Sequence, residues 1–350
     1  MILPQTHAVA LLLVIASFLC WGLWANTLKM GGKRRYELYY FDFAIGLGLA
    51  AVLLGLTVGN LGYDGFSLQD DLMHAGKRQW LYAFGAGVLF NFANELLAGA
   101  ISVAGMAAAF PVGIGLALVL GALLNQVAKP GGSVALLIMG CALVLGAVAL
   151  AGTAYATMGA IRREEQARAG KTRDTRRRLS LKGIFLAMAG GLFMGAYFPL
   201  VQRAQDPDVG LGPYSTMLIF AAGVVLSTCV FNIFFLNLPV EGPPVEIWEY
   251  FKIKPRTHLL EMAGGALWCA GAVANFVASS GSAEVQVLPN VAYAAAQGSA
   301  LLAALCGLVI WKEYKGADVR VKLMTFLVFL FYGGGLALMM MAPMRGVRGH

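Results

Sequence analysis

A 350-residue chain with 59% hydrophobic residues, 13% charged residues and a mean hydropathy of +0.72 is too apolar for water to be its solvent. Its formal net charge of +8 would point to nucleic acid in a soluble protein. Here the basic residues stand between apolar runs, where they set membrane topology, and nucleic acid is not an expected partner.

Uncharged apolar stretches of about 20 residues recur along the chain, the length a helix needs to cross roughly 30 Å of hydrocarbon. They predict spans at 7–28, 37–58, 79–103, 105–128, 133–157, 181–201, 213–237, 258–279, 282–310 and 321–342. The first has no Lys or Arg ahead of it and exceeds the apolar core of a signal peptide, so it is expected to be retained. Two amphipathic stretches, Ser67 to Gln79 and Pro244 to Lys252, are expected at the membrane surface, with Trp248 and Tyr250 as anchors.

The connections after spans 1, 3, 5, 7 and 9 hold 20 of the 26 Lys and Arg residues: Lys29, Lys33, Arg34, Arg35, the cluster from Arg162 to Lys182, then Lys252, Lys254, Arg256, Lys312, Lys315, Arg320 and Lys322. The positive-inside rule assigns these connections to the cytoplasm and both termini to the outside, in what is expected to be a bacterial inner (plasma) membrane. The basic linker, residues 161–180, is expected to meet anionic lipid heads. It contains Gly170-Lys171-Thr172, the tail of a phosphate-binding loop, but the preceding glycine and strand are missing and ATP is not expected there. No cofactor is expected.

The linker divides the chain into five spans on either side, residues 1–160 and 181–350. Trp21-Gly22-Leu23-Trp24 resembles Met194-Gly195-Ala196-Tyr197, Tyr40 heads span 2 as Tyr214 heads span 7, and Pro111 matches Pro289, at offsets of 173, 174 and 178 residues. A repeat with an odd number of spans re-enters the membrane from the opposite side. The expected fold is therefore all-α and integral to the membrane, about ten transmembrane helices in two inverted five-helix repeats. Glycines such as Gly46, Gly48, Gly85, Gly87, Gly264 and Gly265 are expected mainly to let helix backbones approach.

Ionisable side chains inside spans are costly unless paired or wet, so each is a candidate for function. Glu95 lies deepest, on one face of span 3 with Gly87, Asn91, Asn94, Ala98 and Ser102. It reads either as a proton-coupling carboxylate or as an acid that is hydrogen-bonded to a neighbouring helix or near enough the cytoplasmic end to reach water. Asp42 stands one turn inside span 2, where snorkelling to the interface is the simpler reading. Gln286, Asn290, Tyr293 and Gln297 form a stripe on span 9, and Trp268, Asn275 and Ser279 stand similarly on span 8. Amides donate and accept without charge, which suits a neutral, hydrogen-bonding solute; interhelical bonding is the alternative. Pro111 and Pro289 are expected to break equivalent spans, as transporter binding regions do. Trp21, Trp24 and Tyr197 offer faces for stacking a planar ligand, with interfacial anchoring the other reading of Trp24.

Cys20, Cys141, Cys229, Cys269 and Cys306 all fall inside spans, without paired spacing, so neither a disulfide nor zinc is expected. The four histidines, at 7, 74, 258 and 350, lie at span ends or in tails, and no cluster of nucleophile, base and stabiliser marks an enzyme.

Three stretches resemble the drug/metabolite transporter superfamily, in particular its ureide permease and glucose-ribose-rhamnose porter branches. They are Gly105 through Asn125 (GMAAAFPVGIGLALVLGALLN), Asn232-Ile233-Phe234-Phe235-Leu236 leading into Pro239-Val240-Glu241-Gly242-Pro243, and Ala283 to Gly316 with its Val285-Gln286-Val287-Leu288-Pro289 and Glu313-Tyr314-Lys315. The resemblance implies ten helices, an inverted repeat and secondary, usually proton-linked, transport of polar metabolites. Asn94 falls on the family's Gly-Asn position with Ala93 in place of the glycine, Gln286 and Pro289 also match, and the position of Glu95 is usually apolar in the family. The expected activity is symport of a small neutral polar solute, ureide- or nucleobase-like, with a proton or other coupling ion. Asn91, Asn94, Gln286, Asn290, Tyr293, Gln297 and the aromatic residues would bind the solute, and Glu95 would carry the proton. Sugar transport on the same scaffold, export of drugs or metabolites and, from another class, a non-transporting membrane scaffold are the alternatives.

Overall fold

The computed structural model describes residues 1–32, 34–62, 64–168, 181–206 and 208–344. Among them are ten helices long and apolar enough to cross a membrane: His7–Met30, Tyr36–Leu56, Lys77–Ala104, Met106–Ala128, Val134–Arg168, Lys182–Ala204, Pro213–Asn237, Pro255–Ala278, Pro289–Val309 and Val319–Met344, numbered here as spans 1 to 10. No strand occurs among the described residues, and the protein is an all-α integral membrane protein. Span 5 runs on to Arg168, eleven residues past the expected end at 157, because hydropathy marks only where hydrocarbon stops while Arg162 to Arg168 continue the same helix into water. The tail of the phosphate loop, Gly170 to Thr172, falls outside the described residues. The two surface stretches are short helices, Leu68–His74 and Trp248–Phe251.

Two spans are interrupted. Span 1 is interrupted between Leu23 and Asn26, and span 9 at Gly298, in each case by a turn that tightens to i→i+3 bonding while the backbone stays right-handed helical. The prolines expected to make these breaks do not. Pro289 begins span 9, where its missing N–H has no intrahelical partner to lose. Pro111 sits six residues into span 4 and the helix continues through it.

The odd-numbered connections gather at one end of the bundle. Lys29 reaches Glu313 after span 9, Arg162 of span 5 donates to the Glu313 carbonyl, and Lys182 donates to the Val240 carbonyl after span 7. The even-numbered connections and the N-terminus meet at the other, with Asp71 bonded to Gly212, Gly76 to Val209 and Ser133 to Ala342. The first is called the basic end below.

The closest approaches in the core are made by glycine. A Cβ on Gly46 of span 2 would collide with the Met262 carbonyl of span 8, and one on Gly265 with the Phe43 carbonyl of span 2. A second crossing has the same form: Gly87 of span 3 against the Phe220 carbonyl of span 7, and Gly223 against the Phe84 carbonyl. Gly46 to Gly223 is a step of 177 residues and Gly87 to Gly265 one of 178. At that alignment Tyr40 corresponds to Met217, not to Tyr214. The principal packed pairs obey the same exchange of each span for the one five further on: 3 on 6 and 8 on 1, 4 on 6 and 9 on 1, 2 on 8 and 7 on 3.

Gly265→Ala and Gly87→Ala should each destabilise the protein by about 1–3 kcal/mol or more through overpacking against backbone. Gly85→Ala, whose Cβ would meet nothing within 4 Å, should be neutral. Melting temperatures in detergent decide this, and equal effects at Gly85 and Gly87 would contradict the crossing geometry.

Candidate functional site

Span 4 lines three spaces in series along one face. Gly105 borders a cavity of about 500 Å³ at the basic end, Phe110 and Ile114 a central void, and Leu118, Ala122 and Asn125 a cavity of about 340 Å³ at the opposite end. Successive apolar residues one turn apart make this face, so the helix itself sets the line.

The central void collects Trp21 and Trp24 of span 1, Asn94 of span 3, Tyr197 of span 6, Trp268 of span 8 and Gln297 and Ser299 of span 9. Both interrupted helices break beside it, span 1 after Leu23 and span 9 at Gly298. Trp24, for which anchoring at the interface was the other reading, is 2% exposed and packs on Phe43 and Phe110. Trp21 and Trp268 stack with centroids 5.6 Å apart and an angle of 13°, and Trp268 lies on Phe220 at 5.8 Å and 10°. Phe90 fits against Trp268, Phe220 and Tyr197 and completes an aromatic cage. The Trp21 indole N–H donates to the Trp268 carbonyl at 3.2 Å, and the Asn94 amide donates to the Tyr40 hydroxyl at 3.1 Å. The void measures about 20 Å³, room for one water and not for a metabolite, so a solute can enter only if rings move apart.

The remaining expected binding residues lie elsewhere. Asn91 is consumed between spans: its amide donates to Ser227 and its oxygen accepts from Thr228. Asn275 likewise donates to the Ala292 carbonyl. Gln286 is not on span 9 at all, because the helix starts at Pro289; it lies in the preceding connection, half-buried. Asn290 and Tyr293 line the cavity opposite the basic end. Asn290 accepts from Gln202, and Tyr293 stacks on Phe198 at 4.0 Å between that cavity and the cage. Sequence reasoning passed over Asn125 in the same cavity, which is 2% exposed with neither amide atom hydrogen-bonded among the described residues. The available signal was an amide closing an otherwise apolar helix.

Glu95 is fully buried, and neither carboxylate oxygen has a hydrogen-bond partner among the described residues. It does not line the central void. It faces span 2, where Tyr36 and Tyr40 feel its charge and the Tyr36 hydroxyl also lacks a partner. Asp42, expected to snorkel, is instead fully buried and accepts from Tyr250 and from His258, which stands at the start of span 8; this is a second acid site at the basic end.

The basic-end cavity is closed by Glu313. Its carboxylate accepts the first two N–H groups of span 4, from Met106 at 3.0 Å and Ala107 at 2.7 Å, and pairs with Lys29 at 2.7 Å. A negative group at a helix N-terminus satisfies donors that have no intrahelical partner. Gly105 at φ +85° and Gly307 make room for it, since a Cβ on either would stand 2.7 Å from the carboxylate. Tyr314 and Tyr155 line the same cavity; burial, then the charge of Glu313, pushes the Tyr314 phenol up, so it remains a neutral donor.

No protein-family model matches the chain, and no curated protein matches it. Among solved structures, the crystal structure of a protein 16% identical in sequence aligns over 97% of this chain and 99% of that one with a TM-score of 0.55. At that identity the likeness shows the fold alone.

Glu313→Ala should lower the melting temperature and Lys29→Ala should do so less, with a coupling of about 1–3 kcal/mol in a double-mutant cycle, because Lys29 gains from Glu313 only when both are present. Additive losses would mean that the helix cap alone stabilises this end.

Proposed function

We propose that this protein is a secondary active transporter that carries a small, neutral, planar polar metabolite, ureide- or nucleobase-like, by alternating access. The observation that carries the reading is the aromatic cage with the amides of Asn94 and Gln297, set where two interrupted helices meet and in line with a cavity at each end. Interrupted helices mark the binding regions of many transporters; here the irregular turn of span 9 lies at its middle and that of span 1 toward its basic-end terminus. Exchange of spans five apart supports the reading of two inverted five-helix repeats, residues 1–160 and 181–350, and that symmetry is what alternating access uses.

Planar solutes are favoured over sugars by the cage itself. Trp21 and Trp268 are nearly parallel, and a flat ring inserted between parallel faces needs about 7 Å, twice a carbon contact of ~3.5 Å. The two rings are stacked on each other with centroids 5.6 Å apart, so a planar solute would take the place of that contact as the rings separate. The edge of a ureide or nucleobase presents both donors and acceptors, which Asn94 and Gln297 complement without charge. The sequence resemblance to ureide permeases points the same way. Tyr293 and Asn290 act as entry residues on this reading, and Asn125 joins them in the same cavity.

Proton coupling belongs to the same proposal. Glu95 sits where an ionised carboxylate without partners costs several kcal/mol. A change in its protonation would therefore alter how span 3 packs against span 2, at the residue next to Asn94. The basic end would face the cytoplasm of a bacterial inner membrane and both termini the outside, following the distribution of Lys and Arg.

Uptake of labelled allantoin, uracil and glucose by proteoliposomes with an imposed proton gradient tests the proposal. Saturable uptake of the first two is expected, dependent on the gradient. Asn94→Ala, Gln297→Ala and Trp268→Ala should each reduce it at least about tenfold, the loss of one to two hydrogen bonds or a stacking face. Asn91→Ala should mainly lower stability. Absence of uptake for all three solutes would overturn the transport reading, and glucose uptake alone would move it to sugars.

A further inference from the structure

Asp42 and Glu261 are both buried, at 0% and 1% exposure, on the crossing of spans 2 and 8. One Asp42 oxygen accepts from the Tyr250 hydroxyl at 2.6 Å and the other faces His258 Nδ1 at 2.7 Å. Glu261 Oε1 accepts from Arg34 at 2.8 Å, while Oε2 has no donor among the described residues. The Glu261 carboxyl also lies within hydrogen-bonding reach of Asp42. Two ionised carboxylates have no hydrogen to offer one another, so that contact becomes favourable only when one proton is shared between them.

The surrounding charges lead to the same count. The groups facing the pair are Arg34 from the first connection, Tyr39 of span 2, Tyr250 of the surface helix and His258 of span 8. Tyr39 bonds Thr27 through its hydroxyl. Burial, then Asp42, pushes the Tyr250 phenol up, so it acts as a neutral donor. Among the described residues Arg34 is the one fixed positive charge that pairs with these two acids, and a proton held by the pair supplies the second.

Packing does not require acids here. At the offsets fixed by the glycine crossings, Asp42 corresponds to Ile219 and Glu261 to Ala83, and these two pack together in an apolar cluster with Leu72, Ala204 and Leu211. The same helix crossing is thus built once from apolar residues and once around two carboxyls. A Cβ on Gly31 would stand 2.8 Å from Glu261 Oε1, so the chain also leaves space for the acid.

We propose that Asp42 and Glu261 form a proton-binding site at the basic end, one proton held between the two carboxyl groups and fastening spans 2 and 8 together. When the proton leaves, two carboxylates face each other with Arg34 as the one fixed counter-charge paired with them among the described residues, and the crossing loosens. Its part in a transport cycle rests on the reading above; proton binding itself does not.

Infrared difference spectra of the purified protein in nanodiscs, titrated with acid and base and without solute, test this. The expected result is a carboxylic acid carbonyl band that disappears as pH rises and is lost in both Glu261→Gln and Asp42→Asn but kept in Glu95→Gln. Spectra of Glu261→Gln and Asp42→Asn that match the wild type would overturn the proposal, as would an imidazole signal of His258 titrating in place of the carboxyl band. Glu261→Gln preserves shape, so it decides the matter if Asp42→Asn does not fold. A second measurement is the melting temperature against pH. The native state holds a proton that the separate acids of the unfolded chain have released, so this contribution to stability is present at low pH and is lost as pH rises. The wild type should lose more than Glu261→Gln over that range, and parallel curves would count against a shared proton. Failure of uptake in the liposome experiment would leave these outcomes unaffected.

Discussion

The closeness of two helix crossings governs the rest of the molecule. Gly46 and Gly265 bring spans 2 and 8 to backbone contact, and Gly87 and Gly223 do the same for spans 3 and 7. In lipid the tails are as apolar as leucine, so helix association depends on close van der Waals packing, which small residues allow. One turn beyond each contact stand Phe90 and Trp268, themselves 178 residues apart and packed at 4.0 Å. Phe220, on the same crossing as Gly223, closes on both. The cage is thus made by the glycines that set how near the helices come.

Symmetry in the backbone is not carried into the polar groups. At the same offset Asn91 corresponds to Cys269, Asn94 to Ala272 and Glu95 to Val273. Span 3 therefore holds the hydrogen-bonding chemistry while its twin, span 8, supplies the apolar wall of the cage through Trp268. Asn275 reverses this further along, bonding the Ala292 carbonyl where the other half has Leu97. Most polar residues placed in the core are met by a specific partner or a cavity, Glu95 being an exception, and those partners differ between halves.

Much of the fold was legible because its governing length is physical. A hydrocarbon core of roughly 30 Å demands about 20 apolar residues, so ten runs located ten helices within a few residues for most ends. Proline at the first position of a helix is likewise a local rule, and Pro289 followed it, although reading it as a break placed the interruption of span 9 nine residues too early. What hydropathy does not encode is rotation about a helix axis and the identity of distant partners. Asn91 and Asn94 share a face by spacing, yet Ser227 and Thr228, more than 130 residues away, take the first and leave the second beside the void. Asp42 looked like an interfacial acid because Tyr250 and His258, which bury and bond it, lie 208 and 216 residues further along. Gln286 and Gln297 fit one stripe only if the helix is continuous between them, and the late start at Pro289 removes that premise.

The two ends of the bundle are closed by different physics. At the basic end Glu313 ties Lys29 to the first turn of span 4, Arg162 holds the same residue through its carbonyl, and Arg34, Glu261, Asp42 and His258 form a second knot. At the opposite end the closures are mainly backbone hydrogen bonds such as Gly76 to Val209 and Ser133 to Ala342, with the Asp71 carboxylate accepting from the Gly212 N–H and apolar packing around Ala83, Leu211 and Ile219. Ion pairs that are partly buried respond to protonation and to competing charge, whereas backbone bonds and apolar contacts respond to neither. A bundle whose halves share their helix crossings is thus closed asymmetrically: the described side-chain ion pairs gather at the basic end, so the two ends differ in how they respond to charge without any change in the helix packing that the glycines fix.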